Sequence, residues 1–107
     1  MILISKKIMP KGYQGITLYP FMILRDAKLK SNAVVMNHER IHLKQQKELL
    51  IIPFYLLYGF EFLIRLFQYK NWNTAYRNIS FEREAYSNEK KLNYLKLRPP
   101  FSFRKYL

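Results

Sequence analysis

The sequence predicts an α+β fold, mainly helical. A small N-terminal β ribbon or sheet comes first. It is followed by a helix carrying both histidines, a hydrophobic helix, and a C-terminal helix bearing glutamates. Three observations predict this order. Residues 15–24, GITLYPFMIL, are rich in β-branched and aromatic side chains, as a strand requires. From Ala33 onward, apolar residues return with the period of a helix. The same period resumes between Thr74 and Leu95. With 107 residues, the chain is expected to form one domain, 1–107.

Ile2–Ile8 reads as a short strand, and Pro10, Gly12 and Gly15 punctuate the next stretch. Pro20 interrupts the 15–24 run. Proline cannot donate to a ladder, so the strand is expected at an edge or with a bulge. RDAKLKSN, 25–32, is polar and ends in Ser31 and Asn32, either of which suits a helix N-cap. In the helix from Ala33, residues Val34, Val35, His38, Ile41, His42 and Leu49 fall on one arc. Arg40, Lys44 and Lys47 fall opposite. Glu39 lies at the margin of the apolar arc.

Residues 49–67, LLIIPFYLLYGFEFLIRLF, are apolar nearly all round. Pro53 starts a new helix there or kinks the old one. Glu61 and Arg65 have the i,i+4 spacing of a helical ion pair. Two readings of this run stand side by side. It enters a bilayer, with Lys44, Lys47 and Lys70 suited to anionic headgroups. Otherwise it is buried in a small core or pairs with another copy. YKNWN, 69–73, reads as a loop before the last helix. On that helix, Ala75, Ile79, Phe81, Ala85, Tyr86 and Leu92 share an arc. Glu82 is near its middle, Glu89 inside it and Glu84 outside. RPPF ends the helix and leads into the tail SFRKYL.

Lys and Arg number 19 against 7 Asp and Glu, a net charge of +12. Such a surface attracts anionic lipid or nucleic acid. Nucleic acid ranks lower as a partner, because the aromatics sit in the hydrophobic run and are not interleaved with basic residues. There is no cysteine, hence no disulfide and no thiolate ligand. The N-terminal apolar run is too short for a signal peptide. The expected location is the cytoplasm or the cytoplasmic face of the inner membrane.

HERIH, residues 38–42, holds the only two histidines. HExxH on a helix is a zinc-binding pattern. The i,i+4 spacing lets both imidazoles share one Zn²⁺ ion, and the intervening Glu39 is placed to act as general base on a water. By average residue usage, the pattern arises by chance in about one of several hundred chains this long. A catalytic zinc site takes three protein ligands and keeps one position open. No histidine remains, so the third ligand must be a carboxylate. Glu82 is the best candidate, since an unpaired carboxylate on an apolar helix face is costly. Glu84 is the reserve.

HERIH followed by EREAY, 82–86, resembles the gluzincin zinc peptidases, in which a glutamate on a following helix completes HExxH. The nearest pattern is the membrane-associated branch of prenyl-protein endopeptidases and heat-shock membrane proteases. There the third ligand opens Glu-x-x-Ala-Asp. On this chain the resemblance assigns the ligand role to Glu82, the alanine to Ala85, and leaves Tyr86 where those families carry aspartate. It implies a minimal zincin-like domain that hydrolyses peptide or protein substrates. The stretches HERIHLKQQ and ISFEREAY also resemble those of a family of short bacterial proteins, a likeness that carries no activity. Many gluzincins stabilise the oxyanion with a further histidine, which this chain lacks. Tyr76, Tyr86 and Arg83 are the candidates for that role, and Tyr86 also for orienting a ligand histidine. The 15–24 strand is expected to take an extended peptide by strand addition. Two other readings compete: a zinc-stabilised module without catalysis, and a basic binding protein in which HERIH is incidental.

Overall fold

A computed structural model describes residues 1–9 and 12–107. Pro10, part of the expected punctuation, lies outside the described residues. The fold is α+β, with a small sheet at the N-terminal end and helices after it. The sheet has three strands: β1 (Ile2–Ile4), β2 (Gly15–Leu18) and β3 (Phe21–Leu24), in the order β1-β3-β2. β3 is central. It runs parallel to β1 and antiparallel to β2, with Ile16 opposite Ile23 and Thr17 opposite Met22.

The single strand expected over 15–24 is therefore a hairpin. Pro20 sits in its two-residue turn, where a missing N–H costs the ladder nothing. β2 is an edge strand, tied to the next helix by one amide. Gln46 Nε2 donates to the Thr17 carbonyl at 2.8 Å, and Gln46 Oε1 accepts from Tyr19 N at 2.7 Å.

Helix α1 (Ala33–Glu48) starts where its sequence predicts. Of the two expected caps, Asn32 is the one used. Its Oδ1 accepts from the N–H groups of Val34 and Val35, both at 3.1 Å. Its inner face packs on β2 and on the later helix that carries Glu82. Met22, Leu24 and Met36 form one small core against that face.

Leu50 and Ile51 both have positive φ, 60° and 62°, and break the helical run. Helix α2 (Ile52–Tyr69) then begins with Pro53 in its first turn, so the proline starts a new helix. The chain bends by 114° between α1 and α2. The second expected reading of the 49–67 run, burial in a core, does not hold within this chain. Only Phe54 of α2 is buried. No single helix among the described residues is long and apolar enough to cross a membrane.

Glu61 and Arg65 do not pair as their spacing suggests. Glu61 accepts instead from Ser80 N at 2.9 Å and Ser80 Oγ at 2.6 Å, while Arg65 donates to Gln68 at 3.0 Å. Glu61 thereby caps the helix beginning at Ser80, whose N-cap residue Ile79 offers no side-chain hydrogen bond.

The expected helix over 74–95 is three helices: α3 (Trp72–Arg77), α4 (Ser80–Asn88) and α5 (Tyr94–Leu97). Trp72 and Asn73, expected in a loop, open α3. Asn78 ends α3 by turning its side-chain amide back onto the Thr74 carbonyl, 2.8 Å away. Ile79 is extended and resets the phase before α4. Leu92 falls outside any helix and is exposed, not packed on the arc assigned to it.

Phe54, Ile79, Phe81 and Phe103 make the second core, with Leu49, Tyr58 and Phe62 around it. Fully burying one such aromatic is worth about 1.5–3 kcal/mol. Phe103 comes from the C-terminal 3-10 turn, Ser102–Tyr106, which packs on α4. α4 is thus covered on two sides, by α1 and by the tail. That is why Glu84, outside the expected apolar arc, is fully buried.

Candidate metal centre

HERIH forms the middle turns of α1, and EREAY lies within α4. Because α1 packs on α4, His38, His42 and Glu82 come together. All three are buried and form a group able to hold a metal ion. Nε2 of His42 lies 3.2 Å from Nε2 of His38 and 3.1 Å from Glu82 Oε1. The third edge, His38 Nε2 to Glu82 Oε1, is 3.5 Å. Ligand atoms around a tetrahedral ion at about 2.0–2.2 Å stand about 3.3–3.6 Å apart. The 3.5 Å edge falls within that range and the 3.1 and 3.2 Å edges just below it, so the triangle is slightly tighter than one tetrahedral face.

The hydrogen bonds behind the triangle fix how its members point. Gln45 Nε2 donates to the Phe81 carbonyl at 3.0 Å and to Glu84 Oε1 at 2.9 Å. Both partners only accept, so the amide nitrogen must face them and Oε1 must face His42 Nδ1, 2.8 Å away. His42 therefore donates from Nδ1, and in its neutral form Nε2 carries the lone pair inside the triangle. Tyr58 donates to Glu82 Oε2 at 2.7 Å, which leaves Oε1 to face the histidines.

His38 is held by ring packing. The edge-on contact with Tyr86 has ring centroids 4.5 Å apart. Its Nδ1 lies 3.3 Å from Glu89 Oε2 but out of hydrogen-bond geometry. Among the described residues it is the one buried side-chain polar atom without a hydrogen-bond partner. Glu89, one turn after Tyr86, places its carboxylate beside this nitrogen.

Glu39 stands beside the triangle. Its Oε1 accepts from Thr17 Oγ1 at 2.7 Å. A Cβ added to Gly15 would lie 3.1 Å from Glu39 Oε2, so a larger residue there would press the Glu39 carboxylate out of place by a few tenths of an ångström. A cleft of about 460 Å³ opens over the group, with β2 on one wall and α2 on the other. Glu39, His42, Glu82 and Tyr76 all line it. A smaller hollow of about 190 Å³ continues past His38, Tyr86 and Glu89.

The remaining expected site residues divide. Tyr76 faces the cleft, and its hydroxyl lies 3.5 Å from that of Tyr86. Burial, then the Glu82 carboxylate, pushes the Tyr76 phenol far above its usual value, so it stays a proton donor. Arg83 is not brought to the site: it is exposed and donates to the Tyr106 carbonyl at 2.7 Å. The reserve ligand Glu84 is engaged elsewhere, by Arg98, by Tyr94 at 2.6 Å and by Gln45. Tyr13, Thr17, Gln45, Tyr58 and Glu89 join the site without having been expected there. Gln45 had one usable signal, its position one turn after His42.

Electrostatics couple His42 and Glu82. Burial alone lowers the pKa of His42, but the Glu82 carboxylate more than offsets this and raises it from 6.5 to about 9. Burial raises that of Glu82, but His42 and His38 hold it well below the usual carboxylate range. In the metal-free protein, the raised histidine stabilises the fold fully below pH 6.5, and that contribution is lost as pH rises through 9. The lowered glutamate stabilises above its ordinary 4.5 and fails only in strong acid. The expected result is a metal-free Tm that is higher at pH 6 than at pH 9. Added zinc should raise Tm more at pH 9, since a ligating imidazole must be neutral. Calorimetry with and without chelator checks both signs.

No family model matches this chain, and neither a curated protein nor a solved structure matches it.

Proposed function

We propose that this chain is a small zinc-dependent metallopeptidase, with His38, His42 and Glu82 as metal ligands and Glu39 as general base. The observation that carries this is the triangle of Nε2, Nε2 and Oε1, with edges of 3.1–3.5 Å, beside a carboxylate in an open cleft. The likeness of HERIH and EREAY to the gluzincin peptidases supports it. Zinc suits the ligand set of two imidazoles and a carboxylate, and when bound it polarises a carbonyl and acidifies a water.

The chain's own residues do the rest. An extended peptide lies along the edge strand β2, which forms one wall of the cleft. Glu39 takes the proton of the attacking water on its carboxylate and delivers it to the leaving amine nitrogen. Thr17 fixes the rotamer of Glu39 through Oε1. Tyr76 donates a hydrogen bond from its hydroxyl to the developing oxyanion, the part that a further histidine plays in the resembling family. Gln45 and Tyr58 hold the ligands in place.

The test is cleavage of a peptide library, read by mass spectrometry. The zinc-loaded protein is expected to cut, the chelated protein to stop, and restored zinc to restart it. Cleavage that persists in chelator would point to a contaminant. Tightly bound zinc with no peptide cut would leave the site a structural one.

A further inference from the structure

Helix α2 leaves one long face bare. Ile52, Leu56, Phe60, Leu63 and Phe67 come at spacings of four, four, three and four, so they form a single stripe. Each is 63 to 85 % exposed, and among the described residues nothing covers them. Contiguous apolar surface of this kind marks an interaction site.

We infer that this stripe docks α2 flat onto an anionic lipid surface. Charge selects the partner. Lys44 and Lys47, near the end of α1, and Lys70, directly after α2, are exposed. The one acidic residue of α2, Glu61, is turned inward onto Ser80. The chain carries +12, so a second copy laid against the same stripe meets strong like-charge repulsion, whereas anionic headgroups are attracted. Length sets the depth. No single described helix is long and apolar enough to cross a membrane, and α1, with which α2 forms a bent apolar pair, holds the buried His38 and His42. A helix whose exposed face is apolar and whose flanks are basic lies in the interfacial plane. The opposite side of α2 contributes Tyr58 and Phe62 to the cleft, so docking sets the cleft beside the headgroups.

The test is co-sedimentation of the full chain with vesicles, and it needs neither metal nor activity. The protein is expected to pellet with an equimolar mixture of phosphatidylcholine and phosphatidylglycerol, and to stay in the supernatant with phosphatidylcholine alone. Phe60→Glu with Leu63→Glu should weaken the partition by at least about tenfold. Both side chains are exposed, so circular dichroism should be unchanged. Leu56→Glu with Phe67→Glu is a second, independent pair. Three results overturn the inference: a wild-type chain left in the supernatant, folded variants of both pairs that bind as well as wild type, or a dimer in solution that the substitutions split.

Discussion

Glu39→Gln is expected to reduce peptide cleavage by about 10²–10⁴-fold while leaving zinc content unchanged. The amide matches the carboxylate in shape, so Thr17 Oγ1 keeps its 2.7 Å acceptor and Gly15 keeps its close contact. What is lost is the ability to take a proton from water. Because Glu39 is not one of the three converging atoms, the ligand triangle is untouched. Zinc analysis and kcat/KM on the same preparation separate the two effects. A variant that loses zinc as well would make Glu39 part of the metal's support. One that keeps its rate would remove Glu39 from the chemistry.

Arg98→Ala is expected to destabilise the fold by about 3–5 kcal/mol, the usual cost of stranding a buried charge. The Arg98 side chain is fully buried, and so is its partner Glu84. The guanidinium also reaches Glu48 Oε2 at 2.7 Å, joining α1, α4 and the segment after α5. Without it, Glu84 keeps only Tyr94 and Gln45. Chemical denaturation measures the loss. Pairing the change with Glu84→Gln should recover part of it, because no stranded charge then remains. If Arg98→Ala were neutral, the pair would contribute no net stability.

Much of the site was legible because both halves of it lie on helices whose phase can be counted. His38, His42 and Glu82 each fall on an apolar arc, and all three are buried. Glu84 was misjudged for a physical reason. A one-arc reading assumes one buried face, but α4 is covered by α1 and also by the tail that brings Arg98 and Phe103. Nothing in the local sequence announces that second cover. Tyr58 was hidden differently, inside a run whose apolar character pointed to lipid and core. Its hydroxyl on Glu82 depends on the 114° bend after α1, which Pro53 signals only in part.

The hairpin over β2 and β3 was half legible. Pro20 was correctly taken as incompatible with a central ladder, and β2 before it does lie at an edge, but the proline itself marks the turn between two strands. The break at Asn78 was the larger omission. Its side-chain bond to Thr74 accompanies the entry of Ile79 into a core that Phe81 shares and that distant Phe54 and Phe103 complete. Glu61, whose spacing suggests a partner within its own helix, acts across helices at Ser80.

The most direct measurement is the equilibrium binding of zinc to the purified full chain, with His42→Ala and Glu82→Gln alongside. One ion per chain is predicted for wild type. Each variant, shown folded by circular dichroism, should bind more than about a hundredfold more weakly, beyond what loss of an outer partner costs. Zinc at trace level in wild type, or binding unchanged by both substitutions, would contradict the metal centre and the function built on it.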